Sequence, residues 1–135
     1  MEVDGVFSGG GIRGIAFIGA IQVLEERGFH FKRVAGTSAG SLVAALLASG
    51  FNSEEMYREI RNISAGELLD KRKLQIPFPI LRWLPLYWRM GLYKGDRLEE
   101  WIRMLLEKKG VRTFSDLPPG VLKIVASDLS NGKIL

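Results

Sequence analysis

Two short glycine-rich stretches hold the residues able to do chemistry. Gly36-Thr37-Ser38-Ala39-Gly40 fits the pattern G-x-S-x-G, in which small flanking residues let a strained serine project its hydroxyl between a strand and a helix. Such a serine attacks a carbonyl carbon, and the positive end of the following helix lies nearby. A plain structural turn is the other use of so many small residues. Gly9-Gly10-Gly11-Ile12-Arg13-Gly14 admits three chemical readings. A Walker phosphate loop needs lysine and then serine or threonine after its last glycine, and Gly14 is followed by Ile15. A dinucleotide loop fits G-x-G-x-x-G but wants an acid at the end of the next strand, where Ala35-Gly36 stands instead. An oxyanion hole needs only unhindered amides, here those of Gly9, Gly10 and Gly11, aimed at the oxygen of a tetrahedral intermediate. It is the one reading of the three that joins both motifs in a single reaction. The bland alternative is that these glycines only permit close packing of helix on strand.

A serine nucleophile needs a base. The single histidine, His30, precedes the strand that leads to Ser38, which at ~3.3 Å per residue puts it ~20 Å away at the opposite edge of the sheet. It reads as a surface or strand-entry residue, so a serine-histidine-aspartate triad is not expected and a carboxylate or lysine must serve. Asp96 and Asp116 look like capping or turn residues, and Asp128 precedes a turn.

The elements that must position these residues are legible around them. Residues 3–7 read as a strand running into the first glycine stretch, and a helix follows from Arg13 or Gly14 to about Arg27. Ala16, Ile18, Gly19, Ala20, Val23 and Leu24 leave that helix almost no polar side, which suits burial against a sheet. Residues 31–35 read as a second strand, and 38–49 as an alanine- and leucine-rich helix that ends at Gly50. Strand, glycine turn, helix, strand, tight turn, helix begins an α/β fold with a parallel sheet. Its strands would open their carboxyl-end loops on one edge, so Ser38 and the glycine amides can converge. Ser53 reads as the cap of a third helix. Asp96-Arg97-Leu98-Glu99 resembles a capping box ahead of Leu98, Trp101, Ile102, Leu105 and Leu106 at helical spacing. Residues 121–126 read as a strand, and Asn131-Gly132 as a type I′ hairpin turn. Only three residues follow, so the domain is expected to continue beyond them.

Composition narrows the classes. The 135 residues are 47% hydrophobic and 25% charged, as in one globular domain. The lack of cysteine removes disulfides and thiolate metal sites, and one histidine precludes a multi-histidine site within the chain. No cofactor is expected. Acids among the first four residues argue against a secretory or mitochondrial signal, and the longest apolar run, 42–48, is far short of the ~20 residues of a membrane span. A cytoplasmic protein, peripheral at most to a membrane, is expected. The net charge of +4 is local: six of the 19 bases and no acid lie between Lys71 and Gly95, leaving 13 bases against 15 acids elsewhere.

The two glycine motifs in this order, together with Ala126-Ser127-Asp128-Leu129-Ser130-Asn131-Gly132-Lys133, resemble the patatin-like phospholipase family. The resemblance implies a three-layer α/β fold built on a parallel sheet and a serine-aspartate dyad acting on lipid esters. It implies Ser38 as nucleophile and amides of the Gly9, Gly10, Gly11 stretch as oxyanion donors. Gly14, Gly36 and Gly40 complete the motifs, and Arg13 would hold the glycine loop or a substrate phosphate, although a solvent-facing arginine at a helix start is the simpler role. The family's aspartate lies in an Asp-Gly-Gly or Asp-Gly-Ala motif after the Asp-Leu-Ser-Asn-Gly-like hairpin. No such motif follows here, and Asp4-Gly5 is at the wrong end of the fold. Residues 1–135 are therefore read as the amino-terminal portion of one domain, without its catalytic aspartate.

Between Ile76 and Tyr93, Phe78, Trp83, Tyr87 and Trp88 interleave with Arg82 and Arg89, broken by Pro77, Pro79 and Pro85. Such a mixture suits a membrane interface, or a connector packing its rings on the core. No nucleic-acid-binding motif is present. Two functions are open: a serine lipid acyl hydrolase, or a non-catalytic lipid-binding or interaction module on the same fold.

Overall fold

A computed structural model describes residues 1–62, 95–128 and 130–134. Three strands, β1 (Glu2–Phe7), β2 (His30–Thr37) and β3 (Leu122–Val125), form a parallel sheet in that order. Side chains alternate along a strand, so Phe7 is 7% exposed while its neighbour Val6 is 84% exposed. Phe7 pairs with Gly36, and Gly36 with Ile124, which carries one apolar face across all three strands.

Helix α1 (Ile15–Glu26) joins β1 to β2, and α2 (Ala39–Ala48) leaves β2. Both lie on that face. Phe17 of α1 meets the Phe7 ring edge-on at 5.5 Å, and Gly40 of α2 approaches the backbone of Gly36 and of Phe7. Right-handed crossovers that advance across a sheet in one direction place successive helices on the same side. Helices α3 (Ser53–Arg61) and α4 (Asp96–Lys108) extend the layer. The core gathers Phe7, Val34, Ile21, Leu46, Met56 and Leu105 from the first two strands and all four helices; full burial of side chains this size stabilises by ~1.5–3 kcal/mol each. The opposite sheet face exposes Asp4, Val6, Arg33 and Lys123, so the described residues supply the sheet and one helical layer of the expected three.

Several local expectations are corrected. α1 buries Ile18 and Ile21 but leaves Ala16, Gly19, Ala20 and Val23 exposed, because only one of its sides reaches the sheet and α3. Ser53 is not the cap of α3. Asn52 is, in a reciprocal box with Glu55, and Ser53 instead donates from its amide and hydroxyl to the Glu25 carboxylate, pinning α3 to α1. Asp96 is likewise the first helical residue of α4; Gly95, at φ 81°, occupies the cap and makes no side-chain bond, while Glu99 pairs with Arg103. Near the carboxyl end β4 (Ser127–Asp128) and β5 (Lys133–Ile134) pair antiparallel. Gly132 has φ 63° but Asn131 does not have positive φ, so the turn is not type I′. The Asp128 carboxylate organises it by accepting from the amides of Ser130 and Asn131. No described helix is long and apolar enough to cross a membrane. The aromatic segment 76–93 lies outside the described residues.

Candidate active site

Ser38 sits where β2 gives way to α2, as the N-cap of that helix, at φ 53° and ψ −129°. Among the described residues it is the one non-glycine with positive φ, a backbone state that costs ~1–3 kcal/mol and persists only where its surroundings impose it. Here they do. The Ser38 carbonyl accepts from the amide of Ser41 at 2.9 Å and from its hydroxyl at 2.5 Å, which fixes the first turn of α2. Meanwhile Gly36 and Gly40 let the strand, the helix start and the end of β1 approach closely. A Cβ on Gly36 would lie 2.2 Å from the Gly40 carbonyl oxygen, and one on Gly40 would lie 2.2 Å from that of Phe7. Only glycine fits at either position, so the motif's spacing is a steric requirement of the elbow.

The first glycine stretch comes to the same place. β1 ends at Phe7, and a 3₁₀ turn over Gly11–Gly14 precedes α1, closed in part by the Arg13 amide donating to the Gly10 carbonyl at 3.2 Å. A Cβ on Gly9 would stand 3.1 Å from the Ser38 Cβ, and one on Gly14 would stand 3.0 Å from the Ala39 Cβ. Gly11 and Ser38 line one cavity. Among the described residues nothing accepts a hydrogen bond from the amides of Gly9, Gly10 or Gly11. Those donors can serve an anion beside the Ser38 hydroxyl, which itself bonds no described side chain. The Arg13 side chain is exposed, and its backbone role in the turn is what the geometry supports directly.

The cavity beside Ser38 has a volume of about 850 Å³, within the ~300–1,000 Å³ of ordinary ligand pockets. Its walls are mostly apolar: Leu42 of α2, Trp101 and Leu106 of α4, Leu122 and Ile124 of β3. This juxtaposition is not legible along the chain. Trp101 and Leu106 are recognisable only as the apolar side of a helix, because the partners that complete the wall lie some 60 residues away along the chain.

No aspartate, glutamate or histidine is among the described residues lining this cavity, and no cluster of three potential metal ligands occurs among the described residues. His30 begins β2, at the opposite end of the strand from Ser38. Three of the aspartates weighed from the sequence, Asp4, Asp116 and Asp128, have local partners. Asp116 accepts from the amides of Arg112 and Thr113 and from the Thr113 hydroxyl, and those amides hold its carboxyl below the usual range. The Asn131 side-chain amide, followed by its backbone amide, does the same for Asp128. Asp4 is lowered by its bond to Arg33, and Asp96 opens α4.

The chain is similar in sequence and in fold to known proteins. The family model for patatin-like phospholipases matches residues 5–134. YqhO of Bacillus subtilis is 54% identical over all 135 residues, which cover 46% of that protein. The lysophospholipase NTE1 of Saccharomyces cerevisiae is 37% identical over 59 residues, 44% of this chain and 4% of that protein. Among solved structures, the type III effector protein ExoU superposes with a TM-score of 0.52 at 31% identity, over 86% of this chain and 25% of that one. VipD from Legionella pneumophila gives 0.55 at 19% identity, over 98% and 38%, a likeness of fold alone. The chain thus spans less than half the length of these relatives. With that family's model matching residues 5–134, the chain belongs to the patatin-like phospholipase family.

Proposed function

We propose that this chain is the amino-terminal, nucleophile-bearing portion of a single domain that hydrolyses lipid esters. The observation that carries the reading is Ser38 held at φ 53° on the elbow, with the glycine turn against it. The Ser38 oxygen attacks the ester carbonyl carbon and its proton passes to a base. The carbonyl electrons move to oxygen, which the amides of Gly9, Gly10 and Gly11 stabilise; collapse expels the alcohol, and water then releases the fatty acid from the acyl-enzyme. One oxyanion donor is typically worth ~10²-fold in rate. The base is an aspartate beyond these 135 residues, as the family resemblance implies. Arg13 steadies the glycine turn and faces a lipid phosphate. The reaction takes place in the cytoplasm at a membrane surface, which residues 76–93 meet with their rings and arginines.

A second reading has its own support. No carboxylate or imidazole among the described residues lines the cavity with Ser38, which fits a module that binds lipid without turning it over. A fluorophosphonate probe separates the two: labelling that Ser38→Ala removes supports a reactive serine. Ester hydrolysis should appear in a longer chain that extends through the next Asp-Gly motif. If the longer chain is also inert and unlabelled, the hydrolase reading fails.

A further inference from the structure

The cavity beside Ser38 extends along one side of α2, where Leu42, Ala45 and Ser49 follow Ser38 at helical spacing and all line it. Ala45 and Ser49, 8% and 9% exposed, are small residues in its wall beyond Leu42 along the helix. At 1.5 Å per residue Ala45 stands about 10 Å, and Ser49 about 16 Å, along the helix axis from Ser38. Half the ~30 Å hydrocarbon thickness of a bilayer, the reach of one lipid acyl chain, is about 15 Å.

The hydroxyl hydrogens of this helix along the path are already donated. The Ser41 hydroxyl donates to the Ser38 carbonyl, and the Ser49 hydroxyl donates to the Ala45 carbonyl at 2.7 Å. Among the described residues no buried side-chain nitrogen or oxygen lacks a partner. Past Ser38 on this helix a ligand finds no hydroxyl hydrogen free to donate to it, which suits a hydrocarbon and disfavours an anionic headgroup. We infer that α2 is a ruler for the acyl chain: the ester carbonyl sits at Ser38, one chain runs down the groove, and the small side chains of Ala45 and Ser49 set how long that chain can be. The inference rests on the lipid-hydrolase reading for the identity of the ester.

The test is a series of p-nitrophenyl esters with acyl chains of 8, 12 and 16 carbons, given to the full-length protein and to Ala45→Leu and Ser49→Leu. A leucine at 45 blocks the groove about 10 Å from Ser38, so kcat/KM for the 12- and 16-carbon esters should fall at least tenfold relative to the 8-carbon ester. Each methylene left in water forgoes about fourfold. A leucine at 49 should depress only the 16-carbon ester. Because each ratio is taken within one preparation, a partly folded variant does not disturb it. Ratios within twofold of the wild type in both variants overturn the ruler, as does an equal fall at all lengths. Calorimetric binding of fatty acids of the same lengths separates this failure from that of the enzyme reading. Chain-length-graded binding that Ala45→Leu shortens, in a wild type that hydrolyses no ester, keeps the groove and rejects the hydrolase.

Discussion

Replacing Gly40 by alanine tests the elbow at the point where three pieces of backbone meet. The added Cβ would lie 2.2 Å from the Phe7 carbonyl oxygen and 2.6 Å from that of Ser8, where ordinary contact begins near 3.4 Å. Roughly 1.2 Å of separation must therefore be found between α2 and the end of β1, within the ~1–3 kcal/mol cost typical of overpacking and toward its upper end because the obstacles are backbone. At about 4 °C per kcal/mol for a chain of this size, ~3 kcal/mol lowers Tm by ~12 °C. The same displacement moves the glycine turn away from Ser38, and a ~1 Å misplacement costs ~10²-fold in a positioned reaction. Circular-dichroism melting and the rate of fluorophosphonate labelling read the two effects separately. Gly19→Ala is the control: its Cβ meets nothing within 4 Å in the middle of α1, so it should raise stability by ~0.5–1 kcal/mol. A Gly40→Ala protein that melts within ~3 °C of the wild type and labels at its rate would refute the account of the elbow.

Ser38→Gly should be more stable than Ser38→Ala by ~1 kcal/mol in chemical denaturation, since glycine relieves the positive-φ strain that alanine keeps; equal stabilities would show that the backbone at 38 is unstrained. Asp116, lowered by the amides of Arg112 and then Thr113, contributes stability above the ordinary carboxylate pKa of ~4 and loses it as pH falls through its lower folded value. The Tm gap between wild type and Asp116→Asn should therefore narrow from pH ~5 to pH ~2, and a gap that widens on acidification contradicts the assignment. Removing both Trp83 and Trp88 as alanines should weaken sedimentation with anionic liposomes without lowering Tm; unchanged sedimentation removes residues 76–93 from the membrane proposal.

What could be read directly from the sequence was whatever depends on neighbours along the chain. The strand-glycine-helix order around Gly9 to Gly14 and Gly36 to Gly40 specified a parallel α/β sheet with a tight serine turn, because steric limits on short glycine turns act locally. The place of His30 at the far end of β2 followed from strand rise alone. The caps were harder: Ser53 and Asp96 both carry capping chemistry, but Asn52 and Gly95 occupy those positions. Glu25, brought over by the packing of α1 on α3, claims the Ser53 hydroxyl instead. Only the tertiary structure decided which sides of α1 are covered, how close the two glycine motifs come, and that Trp101, Leu122 and Ala45 share a cavity with Ser38. Those outcomes are set by contacts between elements distant in sequence, where periodicity identifies an apolar side but cannot name the surface that meets it.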